Sequence, residues 1–202
     1  MPVTAVRIPL GSRLPWFSVT SLDGTRITTA SLDTGRPVVV AFLCRHSPYV
    51  RQIESALASL LDEFASTTSV IGIASNDTRA YPDDAPEYLD KQARDAGFTF
   101  PYCLDVDQRA ARAFRASCTP EFFVYDRQWR LNYHGGFDSS RPGSDLPVTG
   151  DDLRYALASV RDGARLTQSP VPAFGCSIKW TAGHEPPYSY TSTGVDARLA
   201  GA

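Results

Sequence analysis

The chain has few cysteines, no long apolar run and no excess of charge of either sign. Four of its 202 residues are cysteine, too few for a disulfide-stapled scaffold, so each cysteine is interpreted as a thiol in a reducing, cytoplasmic compartment. No apolar run approaches the roughly 18–20 residues that span a bilayer, and the N-terminus lacks a secretory signal pattern. A net charge of −2 gives no basic patch. We therefore expect neither nucleic acid nor a membrane as a partner.

The sequence also lacks the motifs that hold common cofactors. It has no glycine-rich phosphate loop and no Gly-x-Ser-x-Gly turn. Its histidines, His46, His134 and His184, are too scattered, and its cysteines too widely spaced, for a zinc site. No metal ion and no other cofactor is therefore expected.

Hydrophobic patterns predict an α/β protein. Residues 38–43 form a continuous, largely β-branched apolar run, typical of a strand buried on both faces of a parallel sheet. An apolar stripe with helical spacing follows from Val50 to Phe64. Residues 70–74 form a second buried strand, residues 85–96 a second helix and residues 98–104 a third strand. This alternation favours a sheet with helices on both faces.

Two predicted hairpins make the sheet mixed. Residues 14–22 and 25–29 form an N-terminal hairpin across Asp23-Gly24. Residues 121–125 and 131–135 form a second, antiparallel pair.

Two further helices and a tail complete the predicted organisation. The helices are a short one over residues 107–114, capped by Asp105 or Asp107, and a last one that opens at residues 149–152. We predict one domain over residues 1–163. A Pro- and Gly-rich, irregular tail over residues 164–202 packs on it or trails from it.

Cys44 is the first residue after the buried strand and opens the following helix. The first N–H groups of a helix have no partner within it, so they stabilise a nearby anion. The pKa of a thiol placed there is expected to fall from about 8.5 towards neutrality, which makes a nucleophilic thiolate available. Arg45 and His46 add positive or polar neighbours. The alternative is a buried cysteine that acts as a small hydrophobe.

A proline is the second indication of a functional site. It lies in the stretch Cys118-Thr119-Pro120-Glu121-Phe122. Pro120 cannot donate to a strand ladder and so stands at the start of its strand. If that strand runs antiparallel to the one before Cys44, both residues lie at the same edge of the sheet. We predict a cis Thr119–Pro120 bond there, although the pattern alone does not overcome the low frequency of cis bonds.

Several stretches, in the same order along the chain, carry a family resemblance. They are Cys44-Arg45-His46-Ser47-Pro48-Tyr49-Val50 with the strand before it, residues 76–87, residues 100–102, residues 118–121, residues 136–142 and Gly175-Cys176-Ser177-Ile178-Lys179-Trp180. Together they resemble the thioredoxin-like redoxins of the alkyl hydroperoxide reductase and thiol-specific antioxidant group, closest to a branch described only as thioredoxin family proteins. The resemblance implies a thioredoxin fold with an N-terminal hairpin extension. In that fold a cis-proline faces the reactive cysteine.

One position departs from the family pattern. Relatives typically carry a second cysteine where this chain has Ser47. A serine hydroxyl can hydrogen-bond to a thiolate but cannot close a disulfide, so cycling through a Cys-x-x-Cys pair is excluded. The thiol that resolves Cys44 must come from elsewhere.

Three other cysteines could resolve Cys44. Cys118 ranks first, because the fold's usual strand order makes its turn a direct neighbour of the Cys44 strand, and adjacent strands lie about 4.8 Å apart. Cys176, in the tail, ranks second, because the path of the tail is unknown. Cys103 ranks last, since its strand is expected two places away, at roughly 10 Å. The alternative for Cys118 is that it only lines the groove.

Other polar residues near this edge have two interpretations each. Asn76 follows the strand over residues 70–74 and could bind substrate or close a turn. Arg141 could reach a thiolate or a carboxylate, or remain a surface group. Asp83, Asp84 and Glu87 are interpreted as charges at a helix N-terminus.

The sequence thus predicts a thiol-dependent oxidoreductase whose Cys44 thiolate attacks a peroxide or a mixed disulfide. Cys118, glutathione or a thioredoxin-type reductant would regenerate it, and the backbone near Thr119 and Pro120 would hold the incoming chain. A rival hypothesis is a non-catalytic thioredoxin-fold module that binds extended peptide segments beside Pro120. A third is a monothiol module that holds an iron–sulfur cluster with glutathione.

Overall fold

The structure, a computed structural model, describes residues 1–166 and 171–190. Its strands are β1 (Pro2–Thr4), β2 (Ser18–Ser21), β3 (Arg26–Thr28), β4 (Val38–Phe42), β5 (Ser69–Ala74), β6 (Tyr102–Leu104), β7 (Cys118–Thr119), β8 (Glu121–Tyr125), β9 (Leu131–Gly135) and β10 (Phe174–Ser177). Its α-helices are α1 (Pro48–Phe64), α2 (Pro86–Ala96), α3 (Arg109–Phe114) and α4 (Asp151–Arg161).

The strands form two sheets. The large sheet has seven strands in the order β3-β2-β6-β5-β4-β8-β9, and the small sheet has three in the order β1-β10-β7. In the large sheet, β4 runs parallel to β5 and antiparallel to β8. The predicted mixed sheet and both predicted hairpins are confirmed.

Strand β4 is the centre of the apolar core. All five of its residues are buried, as the continuous apolar run predicts. Because side chains alternate along a strand, Val39 and Ala41 pack with the apolar stripe of α1, whereas Val38, Val40 and Phe42 pack on the opposite face with α3. This two-sided burial fixes β4, and with it the loop that follows.

Two strands are shorter than predicted, for local reasons. The first hairpin strand begins only at Ser18, because the Phe17 N–H donates to the Thr29 hydroxyl rather than to a backbone carbonyl, and this hydroxyl donates in turn to the Pro15 carbonyl. Strand β6 begins at Tyr102, directly after Pro101, which has no N–H to donate.

The tail is not irregular throughout its described part. Residues 174–177 form β10, which pairs with β1 on one side and β7 on the other. Four residues between two short partners carry no usable periodicity, so the hydrophobic pattern misses this strand. Residues 167–170 and 191–202 of the predicted tail lie outside the described residues.

None of the helices in the described ranges is long and apolar enough to cross a bilayer.

Candidate functional site

Cys44 lies in the short loop between the end of β4 and the start of α1. The prediction that Cys44 opens this helix is wrong, because α1 begins only at Pro48, with Ser47 as its N-cap. Its side chain is fully buried. Its Sγ atom lies 3.0 Å from the hydroxyl oxygen of Thr119. The sulfur therefore faces the segment that the sequence places at the same edge of the sheet.

The Thr119–Pro120 peptide bond is cis, as predicted. Strand β8 begins just after it and pairs antiparallel with β4, with Phe42 opposite Glu121. This pairing brings the cis bond to the end of β4. The hydroxyl of Ser47 donates to the Thr119 carbonyl over 3.3 Å, so Ser47 contacts the cis segment directly.

Asp84 occupies a place in the site that the sequence analysis does not assign to it. It belongs to a single 3₁₀ turn, Pro82–Asp84, and its side chain is buried. Its Oδ1 atom accepts the backbone N–H groups of Arg45 and His46, at 2.7 and 3.1 Å. The interpretation of Asp84 as a helix N-terminal charge is wrong, because its carboxylate turns inward to hold the loop after Cys44.

Two more side chains hold Asp84 in place. His46 Nδ1 lies 2.5 Å from its Oδ2 atom, and Asn76 donates to the same oxygen over 2.8 Å. Burial alone would raise the pKa of Asp84, but the hydrogen bonds from His46 and Asn76 outweigh it, so the pKa lies below its usual value. Asp84 is therefore an anion beside Cys44. Asn76 does reach the predicted edge, but both its polar atoms bond within the protein.

The pKa of Cys44 is not lowered towards neutrality. Burial raises it to about 12, and the negative charge of Asp84 adds to the rise. Hydrogen bonds from the Thr119 side chain and the Ser47 backbone lower it by less. The expected lowering of this pKa does not occur, for two physical reasons. The Cys44 side chain is buried, and the N–H groups of Arg45 and His46 donate to Asp84 rather than to the sulfur.

The structure also brings together a set of metal-ligating atoms that sequence spacing does not reveal. Donor atoms of Cys44, His46 and Asp84 lie within 4.8 Å of one another. The spacing of histidines and cysteines does not reveal this set, because Asp84 supplies one of its three ligand atoms. Both oxygens of Asp84 already accept two hydrogen bonds each, and a metal ion would have to displace some of them.

Neither predicted arginine bonds to the Cys44 sulfur. The Arg45 guanidinium lies over the ring of Tyr88, 5.2 Å from its centroid. Arg141 donates to the carbonyls of Asp138 and Ser140 and lies over the ring of Phe174.

Strand β10 covers the site. It pairs with β7 at Thr119, and Phe174 packs edge-on against Tyr49 at the start of α1. Beyond β10, the Lys179 N–H donates to Asn76 Oδ1 over 2.7 Å. The tail thus contacts two segments next to the site, β7 through Thr119 and the loop after β5 through Asn76. The edge beside Pro120, where the rival hypothesis places a bound peptide, carries a strand of this chain itself.

The other three cysteines lie at different places relative to Cys44. Cys118 is buried with Val3, Ala5 and Ala173, and its sulfur lies 4.0 Å from the Pro120 carbonyl. Because neighbouring residues of a strand point to opposite faces, Cys118 faces away from the side on which Thr119 meets Cys44.

Cys103 lies on β6, two strands from β4, as expected. Cys176 lies on β10, opposite Thr119. Directly opposed residues of an antiparallel pair share a face, so Cys176, which the sequence ranks second, lies on the face of the small sheet from which Thr119 contacts Cys44.

A mixed sheet with flanking helices, with a cysteine between a central strand and a helix facing a cis-proline, defines a protein of the thioredoxin-fold class. Residues 10–134 match the model of the AhpC/TSA family. The chain belongs to the AhpC/TSA family.

Several solved structures are similar to this chain in fold. A hypothetical protein from Sinorhizobium meliloti 1021 is 40% identical, with a TM-score of 0.86, over 90% of this chain and 100% of that one. An uncharacterized conserved protein from Geobacillus kaustophilus is 35% identical, also with a TM-score of 0.86, over 90% and 97% of the two chains. A secreted disulfide oxidoreductase of Mycobacterium tuberculosis shares the fold at 17% identity and a TM-score of 0.56, over 71% and 95%. No curated protein matches the chain.

Proposed function

We propose that the protein is a thiol-dependent oxidoreductase that uses Cys44 to reduce a disulfide, with a peroxide as the second substrate class. The observation that carries the proposal is the position of the Cys44 sulfur, 3.0 Å from the Thr119 hydroxyl and beside the cis bond to Pro120. Membership in the AhpC/TSA family supports thiol redox chemistry in general. We place the disulfide first because, once β10 has moved away, the freed edge of β7 can pair with an extended segment of a disulfide-bearing substrate.

The proposed reaction is a two-electron reduction. The Cys44 thiolate attacks one sulfur of the substrate, the S–S bond breaks, and the other sulfur leaves as a thiolate that takes up a proton. A second thiol then attacks the Cys44 sulfur and releases the bound half of the substrate in its reduced form. The products are two substrate thiols and an oxidised pair of thiols, which an external thiol such as glutathione or a thioredoxin-type dithiol reduces.

With a peroxide, the same thiolate attacks one oxygen and the O–O bond breaks. Cys44 becomes a sulfenic acid and the other oxygen leaves as water or an alcohol after it takes up a proton. A second thiol then condenses with the sulfenic acid and releases water. Neither Arg45 nor Arg141 bonds to the Cys44 sulfur to assist this attack, so we place the peroxide second.

A substrate can reach Cys44 only if β10, the strand that lies over it, moves away. The side chain is fully buried and burial raises its pKa to about 12. If β10 separates from β7, water can reach the Cys44 sulfur. The pKa of a hydrated thiol returns towards about 8.5. In this proposal, movement of β10 therefore admits the substrate and restores the thiolate together.

The test is the reaction of the purified, reduced protein with glutathione disulfide and, separately, with hydrogen peroxide. Intact mass and thiol loss are followed for the wild type, Cys44→Ser and Cys103→Ser. Cys103 is a matched control, because burial likewise raises its pKa to about 12. We expect Cys44→Ser alone to abolish adduct formation and turnover. Equal reaction of the wild type and Cys44→Ser with both oxidants would contradict the proposal.

A further inference from the structure

Strand pairing puts Cys176 on the same side of the small sheet as the Cys44 site. In the β10–β7 pair, Cys176 lies directly opposite Thr119, and Ser177 lies opposite Cys118. Directly opposed residues of an antiparallel pair share a face, with Cβ atoms about 4.5–5.5 Å apart. The Thr119 side chain faces the Cys44 sulfur. Cys176 and Cys44 therefore flank the same threonine side chain.

We propose that Cys176 is the resolving cysteine, which closes an intramolecular disulfide with Cys44. This inference rests on the proposed function of Cys44 and names the second thiol of that cycle. It fills the role that Ser47 cannot fill, since a hydroxyl forms no disulfide. It also replaces Cys118, the candidate that strand adjacency alone favours.

Accessibility separates Cys176 from the other cysteines. Cys44, Cys103 and Cys118 are all buried, whereas Cys176 is partly exposed. The disulfide that a resolving thiol forms with Cys44 must be open to an external reductant. The partly exposed sulfur of Cys176 is an atom that such a reductant can attack. Burial is the largest and Cys176 the smallest cause of the raised pKa of Cys44, and Cys176 also contributes to the raised pKa of Cys118, so strand register rather than electrostatics distinguishes the two pairs.

Gly175 keeps β10 close enough for this reaction. A Cβ atom at this position would lie 2.2 Å from the Thr119 carbonyl oxygen and 3.2 Å from the Pro120 nitrogen. Only glycine allows the strand to approach the cis segment this closely. On the other side, Cys176 lies opposite Pro2 of β1. The register of Cys176 is thus fixed from both flanks.

The two other possible disulfides, from Cys44 to Cys118 or to Cys103, are geometrically less favourable. Cys118 is on the opposite face of β7, packed with Val3 and Ala5. Cys103 lies two strands from β4, at roughly 10 Å, beyond the 4.4–6.8 Å Cα separation that a disulfide needs.

The reaction of Cys176 is a thiol–disulfide exchange in which the two cysteines themselves supply the electrons. After Cys44 has formed a mixed disulfide with the substrate, β10 docks again on β7 and the Cys176 thiolate attacks the Cys44 sulfur. The bond between Cys44 and the substrate sulfur breaks, and the substrate leaves as a thiolate that takes up a proton. Cys44 and Cys176 have then supplied both electrons. An external dithiol returns the pair to two thiols and becomes a disulfide itself.

Peptide mapping can identify the pair directly. The reduced wild type, Cys176→Ser and Cys118→Ser are treated with glutathione disulfide, quenched with acid, alkylated and digested with trypsin. The four cysteines fall in four different tryptic peptides, residues 27–45, 95–109, 116–127 and 166–179. Each possible disulfide therefore gives a distinct mass.

We expect peptide 27–45 to be linked to peptide 166–179 in the wild type and in Cys118→Ser. In Cys176→Ser, glutathione should stay on Cys44, and the lifetime of this adduct should increase at least tenfold. Adding Ser47→Cys to the Cys176→Ser variant should restore release of glutathione, because it supplies a second thiol within the helix start.

The outcomes separate the two proposals. A glutathione adduct on Cys44 that persists equally in the wild type and in Cys176→Ser would overturn the role of Cys176 and leave the proposed function standing. A link between peptides 27–45 and 116–127 would assign the role to Cys118 instead. No modification of Cys44 in any variant would overturn the proposed function, and the role of Cys176 with it.

Discussion

The two sheets differ in what holds them together. Large apolar side chains such as Phe42, Leu57 and Phe122 cover both faces of the large sheet. In the described part of the chain, the small sheet packs around the smaller cluster Val3, Ala5, Cys118 and Ala173, and Phe174 adds a contact with Tyr49. Because stabilisation by burial scales with the apolar area removed from water, β10 is held much less strongly than β4. Cys44 follows the strongly held strand, and its cover belongs to the weakly held sheet.

Under the proposed function, this difference explains how a buried thiol reacts. The large sheet fixes Cys44 and the cis bond at one edge, and it does not need to move. The strand that seals them can leave at a smaller cost in free energy, in keeping with the general rule that binding elements come from the less stable parts of a fold. Reactivity at Cys44 should therefore follow the docking of β10 rather than global stability.

The largest loss of stability is expected from a substitution in the large sheet. Phe122→Ala removes a fully buried ring that packs against Phe137. It should lower the free energy of unfolding by about 3–5 kcal/mol. Urea unfolding followed by circular dichroism measures this loss. A loss below about 1 kcal/mol would mean that the large sheet is not the main source of stability.

The second prediction separates docking of β10 from folding. Gly175→Ala should push β10 away from Thr119, because the new methyl group meets backbone atoms that cannot give way. A thiol with a pKa near 12 has about a thousandfold less thiolate at pH 8 than one near 9, so alkylation of Cys44 should accelerate by up to that factor. Iodoacetamide labelling with mass spectrometry measures the rate. An unchanged rate in a folded variant would show that β10 does not control Cys44.

The third prediction concerns the charge beside the sulfur. Asp84→Asn keeps the shape of the side chain but removes the negative charge that raises the pKa of Cys44. The pKa of Cys44 should fall, and each unit of fall increases the thiolate fraction roughly tenfold. Ultraviolet absorbance of the thiolate across pH, compared with Asp83→Asn as a control, measures the shift. A rise in the pKa would contradict this account of the site.

Asp84 also gives a pH dependence of stability. Its pKa is lower in the folded protein than its ordinary value of 3.8, so its stabilisation is complete above that ordinary value. The stabilisation is lost as the pH falls through the folded value. Acid unfolding should therefore be less steep in Asp84→Asn than in the wild type.

The smallest loss of stability is expected from a substitution in the small sheet. Val3→Ala and Val39→Ala delete the same two methyl groups, at 7% and 0% exposure. The change in β1 should cost less than about 1 kcal/mol in global unfolding, and the change in β4 clearly more. Val3→Ala should nevertheless accelerate alkylation of Cys44, whereas Val39→Ala should not do so under native conditions. The reverse pattern would contradict the difference between the sheets.

The sequence predicts the large sheet well because its signals are local. The apolar run before Cys44 and the helical stripe from Val50 to Phe64 each report burial directly. The cis bond at Pro120 follows from strand placement together with the family resemblance.

The rest of the site depends on contacts between distant segments. Asp84 reaches the loop after Cys44 from a turn whose charges look like helix caps, and no periodicity reveals that reach. Strand β10 has four residues and depends on Gly175 for its approach. The expected fall in the pKa of Cys44 is wrong for the same reason: both the burial and the competing carboxylate come from these segments.

The most direct test is a pH titration of Cys44 by NMR in protein labelled with [13Cβ]cysteine. The chemical shift of the Cβ atom reports ionisation of the sulfur, and the Cys44→Ser variant assigns the signal. With β10 docked, the account predicts that the Cys44 signal shows no titration up to pH 9 in the wild type, and that its midpoint falls in Gly175→Ala. A wild-type midpoint near pH 7 would contradict the account.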